Sequence, residues 1–200
     1  MAGPRATNRK RRLSRGDWIA AAFDAIADGG LSAVAVEPLA TRFGVTKGSF
    51  YAHFPSRDAL IEATLTRWER SHGESLAELA KIADPAERLE RVMLAAISFS
   101  QSGAPSVHRR LLGELGDERV RAAVARMDSA RVARLTATYS ELGFRPQQAA
   151  RRARLAYAAY VGLLQMADGA TNERLDSREI SALVRELRET LLAPPARTAR

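Results

Sequence analysis

Apolar residues recur along this chain at intervals of three and four, the period of an α-helix, and almost nowhere alternate as a strand requires. Ala, Leu, Arg and Glu, all good helix formers, dominate between the breaks. The pattern predicts an all-α protein of about nine helices. The first opens at Ser14, an N-cap with Asp17 three residues on, carries Ile19, Ala22, Phe23 and Ile26, and stops at Gly29-Gly30. A short second helix runs from Glu37 to Phe43. Pro38 suits its first turn, where a missing N–H has no intrahelical partner, and Gly44 supplies the left-handed stop. A short third helix, capped by Thr46, runs from Lys47 to about Phe54. After Pro55, Ser56 and Asp58 begin a long fourth one with Ile61, Leu65, Trp68, His72, Leu76 and Leu79 on one face.

Further helices follow from the same periodicity. Asp84-Pro85 opens one carrying Leu89, Val92, Met93, Ala96 and Ile97, and Leu111, Leu112 and Leu115 mark a shorter one. Val120 to Leu142 is closed by Gly143, Pro146 starts a helix reaching about Ala167, and Ile180 to Leu191 is the last. The expected organisation is a basic disordered arm over 1–13, a three-helix head over 14–57, a larger helical body over 58–193 and a disordered tail over 194–200.

Charge narrows the partners. Lys and Arg total 31 against 23 Asp and Glu, a net charge of +8. Arg5, Arg9, Lys10, Arg11, Arg12 and Arg15 crowd the first fifteen residues without an acidic neighbour, as an arm that follows a polyanion would. The absence of cysteine excludes disulfides, zinc ribbons and thiol nucleophiles. The start lacks the apolar stretch of a signal peptide, and no run approaches the roughly 18 apolar residues of a membrane span. A cytoplasmic protein without membrane partners is the expectation.

The second and third helices carry the chemistry. Two short helices crossing steeply need a small residue at their approach, a turn residue tolerant of positive φ, and apolar residues to hold the angle. Ala40, Gly44 and the set Leu39, Phe43, Val45 and Phe50 meet these needs. Lys47-Gly-Ser-Phe-Tyr-Ala-His53 has one aromatic to bury and otherwise small, polar or basic residues, which suits a helix lying in the DNA major groove. Lys47 can bond guanine O6 and N7 or a phosphate. Ser49, Tyr51 and His53 can donate to phosphates, and Thr46 can reach a phosphate or a thymine methyl.

The run Val36-Glu-Pro-Leu-Ala-Thr-Arg-Phe-Gly-Val-Thr-Lys-Gly-Ser-Phe-Tyr-Ala-His-Phe-Pro-Ser-Arg-Asp-Ala-Leu60 closely resembles the DNA-binding head of the TetR family of repressors. The resemblance covers about residues 14 to 65; the body fits the family in length and helix count. It implies DNA contacts from Thr46, Lys47, Gly48, Ser49, Tyr51 and His53, a phosphate contact from Arg57, and core roles for Phe50 and Phe54. One departure stands out: the family often places Thr or Ser just before helix two, where this chain has Ala35-Val36. With such a head, Arg11 and Arg12 of the arm become candidate DNA contacts.

The same resemblance implies a homodimer built on the last two helices, a palindromic double-stranded operator, and a small-molecule effector whose binding releases the repressor from DNA. Leu155, Ala159, Gly162 and Met166, with Leu183 and Leu187, are the candidate dimer face. For a largely apolar effector pocket the candidates are Trp68, His72, Phe99 and His108, together with Met127, Tyr139, Tyr157 and Tyr160. No cofactor is expected. His53, His72 and His108 show no metalloprotease spacing, and neither a nucleophile elbow nor a phosphate-binding glycine loop occurs, so no catalytic residue is assigned. A metal sensor built on His72 and His108, and a DNA-coating protein without ligand control, are the competing readings; no metal ligand is assigned.

Overall fold

The computed structural model describes residues 13–102, 106–166 and 176–193. Among these residues the regular elements are all helical: α1 (Arg15–Gly29), a 3-10 turn (Leu31–Ala33), α2 (Val36–Phe43), α3 (Lys47–Tyr51), α4 (Arg57–Ala80), α5 (Pro85–Gln101), α6 (Val107–Leu112), α7 (Glu118–Glu141), α8 (Pro146–Met166) and α9 (Ser177–Leu192). The expected arm contacts Arg11 and Arg12, and the tail from 194, lie outside the described residues.

Local chemistry places most boundaries. Ser14 Oγ accepts from Asp17 N at 3.3 Å while Asp17 Oδ2 accepts from Ser14 N at 2.8 Å, a reciprocal cap that satisfies two N–H groups. Ser56 Oγ caps α4 by accepting from Ala59 N at 3.1 Å. Three details differ from expectation. α3 ends at Tyr51, short of Phe54, whose place before Pro55 disfavours helical φ/ψ. Thr46 sits at the N-cap position but makes no side-chain cap; the turn is held by Ser49 N donating to Thr46 O at 3.0 Å. Leu115 lies beyond α6 and is exposed, since the chain turns at Gly113 and leaves the helical row.

The buried face of α1 is also rotated from the expected one. Trp18 is fully buried, with Ala21, Ala22 and Ile26, whereas Ile19 and Phe23 are only partly covered. Around Trp18 forms a core that takes in Leu39, Phe50, Phe54, Leu60 and Trp68 and continues without a break into Val107 and Leu111 of α6 and Val120 and Val124 of α7. The hydrophobic core therefore crosses position 57. A second, smaller core joins Leu89, Tyr139, Phe144, Ala149 and Ala153 at the far end of the body. Between the two lies a cavity.

Candidate functional site

The helix-turn-helix is set by one glycine and one phenylalanine. Gly44 has φ of 64°, the left-handed conformation that ends α2, and its N–H bonds Thr41 O at 2.9 Å. Val45 N then returns to Ala40 O at 3.0 Å, which fixes the angle at which the chain enters α3. Phe50 is fully buried, edge-on to Trp18 at 5.4 Å and stacked on Phe54 at 5.8 Å. With that ring anchored, the other side of α3 must face outward. Lys47 and Gly48 are exposed, Ser49 and His53 half-buried, and Tyr51 is 58% exposed although its ring leans on Phe50 at 5.2 Å. Thr46, with no cap to make, is exposed at the same surface.

Two charged residues have partners that the sequence did not reveal. Lys47 Nζ pairs with Glu37 Oε1 across the motif, both side chains being mostly exposed. Such a pair is weak and exchangeable in water. Arg57 donates from Nε to Val34 O at 2.5 Å and from Nη2 to Leu31 O. The guanidinium fork reaches both carbonyls, of which Leu31 O also accepts from Val34 N at 3.1 Å to close the 3-10 turn. Arg57 thus ties α4 to the turn after α1, where the resemblance implied a phosphate contact. At the start of α2, Ala35 is the N-cap and offers no side-chain bond, as the missing hydroxyl requires.

The head is also bonded to the body. Glu114 Oε1 accepts from Leu31 N at 2.7 Å and Arg110 Nε donates to Ala27 O at 3.3 Å, while at the head end of the body Arg119 joins Asp58 at 2.8 Å and Asp117 at 2.7 Å. Hydrogen bonding from Arg119 holds the Asp117 carboxyl down to about 2.

The cavity has a volume of about 490 Å³ and is walled by α4 through α9 together with Phe23 of α1. Of the eight expected pocket residues, Trp68, His72, His108, Tyr157 and Tyr160 line it. Met127 and Tyr139 do not: Met127 is buried in the core shared with the head, and Tyr139 packs edge-on to Phe144 at 5.6 Å in the second core. Burial pushes the Tyr139 hydroxyl up to about 12. The side chain of Phe99 lies outside the described residues. Aromatic spacing missed Arg131 and Arg134, which line the cavity with Leu135 and Thr138. Their signal was present only as one pair of arginines three residues apart on α7.

His108 is the most enclosed polar group here, 2% exposed. Its Nδ1 lies 3.0 Å from Arg131 Nη1 and 3.3 Å from Tyr160 Oη. A guanidinium only donates, so Nδ1 accepts and the ring proton sits on Nε2. Burial first, then the Arg131 charge and His72, hold its pKa down to about 3. His72 is lowered by burial and by Arg131, against the opposing bond from its Nδ1 to Trp68 O at 3.1 Å. Tyr157 donates to Asp128 Oδ1, and burial raises the Tyr157 hydroxyl.

The expected dimer residues divide. Leu155 on α8 is 63% exposed, Gly162 and Leu183 are half-buried, and Ala159 and Leu187 line the cavity. The Met166 side chain lies outside the described residues. Among the described residues no three His, Asp or Glu groups are placed to hold a metal ion, and no helix is long and apolar enough to cross a membrane.

The head is a helix-turn-helix whose second helix is anchored by Phe50, set on a helical body with an internal cavity. Residues 19–64 match the family described as bacterial regulatory proteins, tetR family. The head is thus similar to the DNA-binding head of that family, and the chain as a whole has the all-α fold of solved TetR-family transcriptional regulators. A TetR-family transcriptional regulator from Agrobacterium tumefaciens is similar at 21% identity and TM-score 0.72, over 88% of this chain and 96% of that one. Reduced E. coli NemR is similar at 20% identity and TM-score 0.73, over 91% and 98%. AibR, solved with isovaleryl coenzyme A and operator DNA, is similar at 20% identity and TM-score 0.66, over 90% and 99%. No curated relative matches the sequence.

Proposed function

We propose that this protein is a homodimeric transcriptional repressor of the cytoplasm that binds a palindromic double-stranded operator and is released by a small, largely apolar effector. The observation that carries the reading is α3: a helix anchored by Phe50 whose other side presents Thr46, Lys47, Gly48, Ser49, Tyr51 and His53. Gly48 lets the backbone approach the groove. Lys47 exchanges Glu37 for a guanine edge or a phosphate, and Tyr51, Ser49 and His53 position the helix on phosphates. Arg11 and Arg12 add phosphate or minor-groove contacts from the arm.

Dimerisation through α8 and α9 covers Leu155 and sets two copies of α3 in successive major grooves. Effector in the cavity favours a state in which α4, which forms one wall and carries Arg57 at its head end, no longer holds the two heads at that spacing. A tenfold loss of DNA affinity needs a coupling of about 1.4 kcal/mol. Selection of bound sequences from random duplex DNA tests the reading: it should enrich a palindrome, and recovery of no preferred sequence would refute it.

A further inference from the structure

We propose that the cavity takes an organic carboxylate, with its apolar body against the α4, α5 and α9 wall and its carboxylate on the guanidinium of Arg131. The proposal rests on the reading of the cavity as an effector site and names the chemistry of what enters it.

The charges of the lining favour an anion. Among the described residues the lining includes three arginines and two histidines, but no Asp or Glu. Arg88 is already neutralised by Glu141 at 2.8 Å and donates to Ile82 O at 2.9 Å. Arg131 differs. It is half-buried, its Nη1 meets the neutral His108 ring at 3.0 Å, and its guanidinium lies over the Tyr160 ring at 4.9 Å. No described carboxylate lies within ion-pairing distance of it. A guanidinium presents five N–H donors in a planar fork that matches a carboxylate, and in a partly desolvated site that pair is strong. Arg134, one turn further along α7 on the same wall, adds positive potential.

The same groups disfavour the opposite sign. A cationic ligand needs a carboxylate or open aromatic faces. Asp128 Oδ1 is engaged by the Tyr157 hydroxyl, and the Tyr160 face is covered by Arg131 itself. His72 and His108 are held neutral, so they can shape the site without adding charge. Most of the remaining lining is apolar, and Leu76, Leu79, Leu89, Met93, Leu187 and Leu191 supply an aliphatic part of it. One charged end and one apolar body are what this division fits.

Calorimetric titration of the full chain, without DNA, with decanoate, decanol and decyltrimethylammonium below their aggregation thresholds tests the proposal. Decanoate should bind about tenfold or more tightly than either of the others. Arg131→Met should remove that advantage while leaving decanol affinity within about twofold, and Arg131→Lys should keep part of it. Should Arg131→Met fail to fold by circular dichroism, the order of the three probes on the unaltered protein and the Arg131→Lys result decide. Decanol binding as tightly as decanoate, tighter binding of the ammonium, or no effect of Arg131→Met would overturn the proposal. Binding by none of the three would overturn both it and the effector reading. Decanoate binding through Arg131 with operator affinity unchanged would uphold the ligand class and refute release.

Discussion

Trp18 and Phe50 meet edge to face at 5.4 Å with an interplanar angle of 77°, both fully buried. This contact joins the first helix of the head to the helix proposed to face DNA. Orientation of α3 therefore depends on a fully buried ring. Phe50→Ala should destabilise the fold by about 3–5 kcal/mol in denaturant titration. Phe50→Leu, which keeps much of the volume, should cost less. Equal stability of the alanine variant and the parent would mean that α3 is held by something else.

The pairing of Lys47 with Glu37 places an acid beside the base expected to reach DNA. Glu37→Gln should raise operator affinity, by no more than about fivefold because an exposed pair is weak, and the gain should shrink with added salt. Lys47→Ala should lower affinity. An affinity unchanged by Glu37→Gln at low salt would show that the pair does not compete with DNA.

Arg57 separates two roles by one measurement. Its bonds to Val34 O and Leu31 O predict that Arg57→Ala lowers fold stability by roughly 1.5–3 kcal/mol, the range for charge-assisted bonds. The salt dependence of operator binding should keep its slope. A slope reduced by about one, with stability intact, would instead identify a phosphate contact.

Gly44 at φ of 64° has open space where a Cβ would stand, so only backbone conformation opposes a side chain there. Gly44→Ala should cost about 1–2 kcal/mol in stability, the left-handed penalty. A thermal midpoint equal to the parent's would show that the turn tolerates any residue.

His108 makes stability depend on pH. Its folded pKa, near 3, lies below the ordinary 6.5, so the unfolded chain binds more protons between these values. Its contribution is complete above pH 6.5 and is lost as pH falls toward 3, with a slope of up to roughly 1.4 kcal/mol per pH unit. His72 acts in the same direction. Stability of His108→Gln should fall less steeply than the parent's between pH 6.5 and 4. Identical slopes would contradict the neutral buried imidazole.

What the sequence made legible was what local chemistry decides. Ser14, Pro38, Gly44 and Ser56 mark helix ends through bonds or φ values within a few residues, and each stands where its chemistry puts it. Trp18 was missed because Ile19 beside it is also apolar, and periodicity alone cannot choose between faces one residue apart. The partners of Arg57 lie 23 and 26 residues upstream, on carbonyls of a 3-10 turn that no pattern announced. In the cavity, aromatic residues drew attention to Met127 and Tyr139 by company, while Arg131 matters because α6, α7 and α8 bring His108, Arg131 and Tyr160 together. That register is a tertiary property.

Whether two copies of α3 read one operator is measured directly by hydroxyl-radical footprinting of the protein on its selected duplex. Two protected patches related by a dyad are expected, their centres about one helical turn, or a whole number of turns, apart, and both lost in Lys47→Ala. A single patch without a dyad, or protection that survives Lys47→Ala unchanged, would contradict reading by two copies.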